Sequence, residues 1–379
     1  MSFHIPLSAK LCPCFVAILC LLCISCRKDA PAGGADVGGE EDAAILAENT
    51  QMPPVTEEPE EELSTDIEEN TEAAESSAEA LVEIEPDVPE GSVMYGQLVS
   101  VAGGTFEMGD GQEDRMPVHR VKVDGFWMQK TEVTEGQFRA VMSRFAYGIS
   151  GISGDDIPYQ EASWYDAVEF CNRLSIADGF KPCYYIQGKA NPDEWPQELC
   201  YFDEELDFPF VCEPVVCDFS ADGYRLPTEA EWEFAARGGK NQQPFVYAGS
   251  DSAGDVAWYF KNSGGAVQPV AQKQPNGLGL YDMSGNEWEW CWDFYDENYY
   301  AQSPSENPKG PETGSSRVYR GGSAYGFGKN KGDGVGDEPD VQEGENCVVS
   351  FRMSGFPLCM SEWEHGCSFR VVRTISSLE

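Results

Sequence analysis

The stretch that decides the fold runs from Gly277 to Trp292 and reads Gly-Leu-Gly-Leu-Tyr-Asp-Met-Ser-Gly-Asn-Glu-Trp-Glu-Trp-Cys-Trp. Its last residues place tryptophan at every second position, and this period of two predicts a strand with one aromatic face. The preceding Ser-Gly-Asn predicts a turn that leads into the strand. Because acidic residues alternate with the tryptophans, their carboxylates need either solvent or a partner where the aromatic rings are buried.

Two carboxylates in this stretch, Asp282 and Glu289, flank the predicted turn. Carboxylates and turn carbonyls form the all-oxygen ligand set that a hard cation such as calcium prefers. The alternative is that Asp282 lies in a solvated turn and Glu289 on a solvated strand face, since their spacing lacks the fixed register of an EF-hand loop. The spacing alone leaves both interpretations open.

Further motifs occur in a fixed order around this stretch. They are Gly104 to Gly109, Pro117 to His119, Glu132 to Thr134, Trp164 to Ala167, Tyr224 to Glu233, Arg317 to Ser323 and Phe369 to Val372. Together with the tryptophan stretch they resemble the formylglycine-generating enzyme (sulfatase-modifying factor) family over roughly residues 93 to 374. The resemblance implies an α+β domain, a loop-rich variant of the C-type lectin fold with few short helices and strands. It also implies a structural calcium site formed by Asp282, Glu289 and the carbonyls of Gly285 and Glu287.

The chain begins with a candidate export signal. Lys10 precedes an apolar run from Phe15 to Ile24, about half the length of a membrane-spanning helix, which is typical of a secretory signal peptide. The run ends in Cys23-Ile24-Ser25-Cys26 and resembles a bacterial lipoprotein processing site, with Cys26 as the lipidated residue. Cys23 stands where leucine is usual, so a plain secreted protein remains the alternative. Either way the protein is expected to face outside the cytoplasm, in the lipoprotein case anchored in the cell envelope.

Residues 27–92 are rich in Glu, Asp, Ala, Pro and Gly and poor in aromatic residues. Such a segment buries too little apolar surface to offset its chain entropy, so we predict a disordered acidic stalk, followed by a folded domain over 93–379. The net charge of −41 argues against nucleic-acid partners and against direct docking on anionic lipid headgroups. Membrane contact is therefore expected only through the lipid anchor.

Three sequence patterns predict helix starts. Thr134 and Gln137 form a capping box, as do Ser163 with Asp166 and Thr228 with Glu231. Of the cysteines after Cys26, Cys171 on the second helix and Cys291 on the aromatic strand are predicted to be buried thiols. Some of the other seven are expected to pair in an exported protein, in a pattern that the sequence does not define.

The family's oxidase activity depends on copper held by two cysteines that follow the Gly-Gly-Ser motif, because thiolates suit a soft cuprous ion. In this chain the corresponding positions hold Gly326 and a residue near Gly344. We therefore expect no copper and no catalysis. The alternatives are a formylglycine-generating oxidase or another enzyme of the family, and a structural or assembly factor of the envelope.

The segment from Ala324 to Cys367 combines the family's landmarks with chemically mixed side chains, a composition typical of recognition surfaces. It resembles the variable region of target proteins that retroelements diversify. The alternative is an ordinary terminus of core and loop residues. We predict a surface that binds an extracellular protein or glycan, formed by Tyr325, Phe327, Phe351, Met353, Phe356, Leu358, Met360, Trp363, Glu364 and His365.

Overall fold

The computed structural model of the chain describes residues 86–143, 153–202, 210–325, 344–358 and 367–375. The predicted signal peptide, Cys26 and nearly all of the predicted stalk lie outside these residues. So do Phe327, Met360, Trp363, Glu364 and His365.

Short strands form small antiparallel sheets. Their bounds are β1 Leu98–Val101, β2 Gly104–Met108, β3 His119–Val123, β4 Phe126–Gln129, β5 Tyr184–Ile186, β6 Cys200–Phe202, β7 Phe210–Cys212, β8 Val215–Cys217, β9 Tyr224–Arg225, β10 Glu289–Phe294, β11 Arg317–Arg320, β12 Arg352–Gly355 and β13 Val372–Thr374. One sheet has the order β1-β4-β13-β9 and another the order β10-β11-β12, while β2–β3, β5–β8 and β6–β7 form separate pairs. This mixture of small sheets and short helices confirms the predicted α+β class.

The helices of the described residues are short, and long connections separate them. They are α1 Glu135–Met142, α2 Trp164–Asp178, α3 Glu229–Ala236, α4 Ala253–Val256 and α5 Phe260–Ser263. All three predicted capping boxes are present at α1, α2 and α3, because each depends only on residues three apart in the sequence. Gly179 ends α2 in the left-handed conformation, as its position predicts.

The aromatic strand is β10, and its two faces contact different parts of the core. Trp288 and Trp290 are buried in one apolar cluster, against which Trp292 also packs, whereas Cys291 is buried in a second cluster. The Trp290 indole N–H donates to the carbonyl of Ala162 at 2.7 Å. The predicted aromatic face is thereby confirmed, and the strand joins two halves of the core.

The insertion between α2 and α3 carries the disulfide that the sequence left undefined. Cys200 and Cys212 stand opposite each other on β6 and β7 and are bonded. Cys171 and Cys291 are buried thiols, as predicted.

Ordered structure begins before residue 93, the predicted start of the domain. Val88 is buried in the first core cluster, and the Ser92 hydroxyl donates to Asp178 on α2 at 2.6 Å. The chain therefore packs against the domain several residues before its first strand.

Candidate functional site

The calcium site implied by the sequence falls in the interior of the domain. Asp282 is 2% exposed, and Glu287 and Glu289 are fully buried. The alternative of a solvated turn and a solvated strand face is therefore wrong. Gly285 has φ +79°, and a Cβ there would lie 2.3 Å from the carbonyl oxygen of Trp258, so the turn requires glycine.

Glu289 already has strong partners. Arg370, which precedes β13, donates to both of its oxygens at 2.6 Å, and the indole N–H of Trp232 donates to Oε2 at 2.9 Å. The guanidinium of Arg370 is itself fully buried and also donates to backbone carbonyls, including that of Tyr281 at 3.0 Å. Glu289 is therefore neutralised by an arginine from the far end of the chain.

Two other buried carboxyl groups lie close to this ion pair with fewer partners. Asp282 accepts from the backbone N–H of Ala271 at 2.7 Å through Oδ2, while its Oδ1 has no hydrogen-bond partner. Neither side-chain oxygen of Glu132 has one. Burial raises the pKa of Asp282 to about 6, and burial together with the charges of Asp282 and Glu289 raises the pKa of Glu132 well above its usual value.

These residues fit a cation in part. Three carboxyl groups face one guanidinium, which leaves negative charge uncompensated in the interior when all are ionised. Within the described ranges, no three His, Cys, Asp or Glu side chains converge closely enough to hold a metal by themselves. A calcium ion here would therefore need backbone carbonyls, the type of ligand assigned to Gly285 and Glu287, and Glu289 would have to share its carboxylate with Arg370.

A second candidate site is a surface cavity of about 530 Å³ beside β12. We call it the β12 groove. Its lining combines a short turn, the segment after β10 and the start of β12: Glu113, Asp114, Tyr295, Glu297, Asn298, Phe351, Arg352, Met353 and Ser354. Phe351 and Met353 were predicted as ligand-binding residues, and the structure brings both of them into this groove.

Arg352 is more deeply buried than the residues on either side of it. Arg352 is 2% exposed and donates to both carboxylate oxygens of Glu229, at 2.7 and 2.8 Å. Phe351 and Met353 on either side of it are partly exposed. Arg320 on β11 donates to the backbone carbonyls of Ser350 and Phe351, both at 2.6 Å. The backbone at the groove is therefore held by two buried arginines, of which Arg352 also lines the groove.

Residues 85–375 match the model of the sulfatase-modifying factor enzyme 1-like domain. The chain belongs to this family.

Two curated relatives and one solved structure show the range of this family. The chain is 36% identical over 215 residues to "Chaperone protein LppX" of Paenibacillus barcinonensis, covering 52% of this chain and 71% of the relative. It is 29% identical over 249 residues to the formylglycine-generating enzyme of Streptomyces coelicolor, covering 59% of this chain and 77% of that enzyme. The structure of Treponema denticola variable protein 1 superposes with a TM-score of 0.57 at 28% identity, covering 73% of this chain and 94% of that protein.

Other predicted tail residues of this sulfatase-modifying-factor domain lie elsewhere. Tyr325 was predicted on the binding surface, and this is wrong: its side chain is 3% exposed, and its hydroxyl donates to Gln160 at 2.5 Å. The reason is that Tyr325 packs with Ile157 and Val267 in a small core cluster. Phe356 and Leu358 are partly exposed but do not line the β12 groove.

The copper positions of the family are described only in part. Gly344 is glycine in a left-handed turn, and Gly326 lies outside the described residues. The nearby Cys347 is fully buried, and burial raises the pKa of its thiol to about 12. Burial therefore favours the thiol over the thiolate at this position.

Sequence reasoning missed several residues of both sites. Arg370 belongs to a recognised motif, but nothing local indicates that it pairs with Glu289. Glu132 lies in the motif Glu132 to Thr134, from which the sequence predicts only the helix cap at Thr134. The acidic wall of the β12 groove comes from Glu113, Asp114 and Glu297, which carry no sequence signal beyond the general acidity of the chain.

None of the helices in the described ranges combines the length and the apolar character that crossing a bilayer requires.

Proposed function

We propose that this chain is a non-catalytic binding protein of the cell envelope, built on the sulfatase-modifying-factor scaffold, and that the β12 groove is part of its binding surface. The observation that carries the proposal is the separation of roles at β12. Arg352 is locked inward onto Glu229, while its neighbours Phe351 and Met353 line an open groove. Phe351 and Met353 pack against the first core cluster and keep part of their surface in the groove, and partly exposed apolar side chains of this kind suit recognition. The ligand is an extracytoplasmic protein or glycan.

The similarities support binding rather than turnover. One relative is named a chaperone and another structure a variable protein, and neither name implies oxidase chemistry. The competing function comes from the relatives named formylglycine-generating enzyme. The family's spacing places the paired thiols of that enzyme at Gly326 and near Gly344. Neither position holds sulfur, and Cys347 lacks a partner at that spacing, which favours the non-catalytic alternative.

The binding function can be tested by selecting ligands and then comparing their affinity for the wild type and for a variant of the groove. Full-length protein is panned against a displayed peptide library and a glycan array, and each ligand is then measured against Phe351→Ala/Met353→Ala. We expect ligands that bind the wild type and lose most of their affinity for the double variant. Because Phe351 and Met353 also pack against the first core cluster, the double variant should melt at a lower temperature, and binding is compared where its melting curve shows that it is folded.

The same preparation tests the enzyme alternative. Purified protein is supplied with copper and a peptide containing Cys-x-Pro-x-Arg, and aldehyde is measured by hydrazide capture and mass spectrometry. Catalytic aldehyde formation would refute the proposal. It would also be refuted if every selected ligand bound the wild type and the double variant with the same affinity.

Membrane attachment is proposed to occur through lipid on Cys26. The support is the sequence before Cys26, which resembles a lipoprotein processing site. Wild type expressed with labelled palmitate should carry the label and fractionate with membranes, whereas Cys26→Ala should lose both properties. A labelled Cys26→Ala protein would show that the assignment is wrong.

Calcium is proposed as a structural ion at Asp282, with the carbonyls of Gly285 and Glu287 and a shared oxygen of Glu289. The unpartnered Oδ1 of Asp282 supports it, and so does the negative charge that Asp282, Glu132 and Glu289 would carry beside one guanidinium when all three are ionised. The ion would neutralise this charge and join the turn to β10, which is the role of a structural cation in a loop-rich domain.

A further inference from the structure

The lining of the β12 groove is electrostatically negative. Glu113 and Glu297 are exposed at its edge, and Asp114 lies deeper, where it accepts from the Tyr295 hydroxyl at 2.8 Å. Arg352, the only cation among the described lining residues, lies 3.8 Å from Asp114, and Arg115 lies 3.8 Å from Glu113. Each of these arginines has a second, closer carboxylate partner, Glu229 for Arg352 and Asp110 for Arg115. Carboxylates therefore outnumber the cations around the groove, and opposite charge on a partner would be attracted to it.

The groove also follows the edge of a sheet. In the described structure β12 is the outer strand of the order β10-β11-β12, and its register pairs Arg352 to Gly355 with Arg320 to Arg317 on one side only. A strand at a sheet edge presents backbone N–H and C=O groups that can pair with an incoming chain. Strand addition at such an edge is an established mode of peptide recognition, in which the backbone supplies affinity and the alternate side chains supply specificity.

The apolar part of the lining suits long basic side chains. Phe351 packs between the ring of Trp288, at 6.1 Å, and the guanidinium of Arg115, at 5.2 Å. Met353 adds a flexible apolar side chain, and Tyr295 adds a second ring. Lysine and arginine bury their aliphatic stems on such surfaces while their charged ends reach nearby carboxylates.

We propose that the β12 groove binds an extended, basic segment of another protein, which pairs with the edge of β12 that has no partner strand within the described ranges and directs lysine or arginine side chains to Glu113, Asp114 and Glu297. This inference rests on the proposed binding function and adds the class of partner. The cavity volume of about 530 Å³ lies within the range of roughly 300–1,000 Å³ typical of ligand pockets, so it accommodates a few side chains and not a folded domain.

The experiment measures binding of short fluorescent peptides to the full-length protein by fluorescence anisotropy. The probe alternates lysine and threonine, so that an extended conformation places the charges on one face. One comparison peptide replaces every lysine with glutamate, and another keeps the lysines but carries N-methyl groups on alternate backbone nitrogens. We expect the lysine peptide alone to bind well, with an affinity that falls as salt shortens the Debye length from about 30 Å at 0.01 M to about 8 Å at 0.15 M.

Charge reversal in the groove provides the matched protein variants. Glu113→Lys/Glu297→Lys should weaken the lysine peptide about tenfold, since it replaces two attractive contacts with repulsive ones. Glu107→Lys/Glu312→Lys makes the same change in net charge at exposed positions that do not line the groove. This control should change affinity by no more than about twofold, which reflects only the long-range field.

Each contrary result overturns a defined part of the inference. Equal weakening by both double variants means that only the overall charge attracts the peptide. Equal binding of the N-methylated peptide excludes strand addition. If the lysine peptide does not bind while ligands selected from the library or the glycan array still depend on Phe351 and Met353, the basic partner is wrong and the binding function stands. If no ligand depends on these two residues, both proposals fail.

Discussion

Replacing Arg370 with methionine is the sharpest test of how the interior is held together. The change removes a fully buried guanidinium that contacts both oxygens of Glu289 at 2.6 Å and also donates to the carbonyls of Gln129, Lys130 and Tyr281. Methionine has a similar volume and an apolar character, which limits the cavity left behind. The variant therefore reports on the loss of the counterion together with the hydrogen bonds to the three carbonyls.

The cost follows from what remains after the substitution. Glu289 would stay fully buried, with the Trp232 indole as its strongest partner and with the carboxyl groups of Asp282 and Glu132 nearby. Breaking a buried ion pair by removing one partner costs about 3–5 kcal/mol, because the other charge is left uncompensated. For a domain of this size, 1 kcal/mol shifts the melting temperature by about 2–4 °C, so we expect a decrease of roughly 6–20 °C.

Urea unfolding followed by tryptophan fluorescence measures the free energy of unfolding, with a chelator present so that no cation substitutes for the arginine. Arg370→Met/Glu289→Gln should recover a large part of the loss, since the remaining side chain is neutral. Asp193→Asn, which breaks a largely exposed pair with Arg173, should cost less than about 1 kcal/mol. A loss below 1 kcal/mol for Arg370→Met, or no recovery in the double variant, would refute the assignment of Arg370 as the counterion.

Three further predictions follow from the buried groups. Chelation should lower the melting temperature of the wild type but not that of Asp282→Ala. Burial raises the pKa of Asp282 to about 6 from 3.8, so in chelator the free energy of unfolding should fall as pH rises from about 4 to 6, and added calcium should oppose this fall. Burial raises the thiol pKa of Cys183 to about 11 and that of Cys347 to about 12, so iodoacetamide at pH 8 should leave both unmodified until urea is added, as read by mass spectrometry. Replacing Cys200 and Cys212 with serine should lower the free energy of unfolding by about 2–3 kcal/mol, since the bond closes a short loop; no change in the urea midpoint would contradict this.

Features that depend on neighbours in the sequence were predictable. Each capping box joins residues three apart, and the aromatic face of β10 is visible as a period of two. Both patterns have a physical cause that acts within one turn of helix or along one strand, so no tertiary information is needed to recognise them.

Features that join distant segments were not predictable without the fold. Glu289 and Arg370 are 81 residues apart in the sequence. Because the chain contains so many acidic residues, the sequence does not indicate which of them pairs with a given arginine. The same limit explains Tyr325, whose side chain was predicted on the surface although it is buried and its hydroxyl donates a hydrogen bond to the Gln160 side-chain oxygen. Burial of a polar or aromatic side chain is decided by packing partners, which composition does not identify.

Interior arginines hold the strand that borders the β12 groove. Arg320 holds the backbone carbonyls just before β12, and Arg352 fastens β12 to α3 through Glu229. Phe351 and Met353 lie beside these arginine contacts, where they pack against the first core cluster and also line the groove. Substitution at those two positions therefore changes what the groove contacts and removes some core packing, while the arginine contacts to the backbone and to Glu229 remain. Recognition and stability share these two side chains, and the buried arginines supply the part of the stability that does not depend on them.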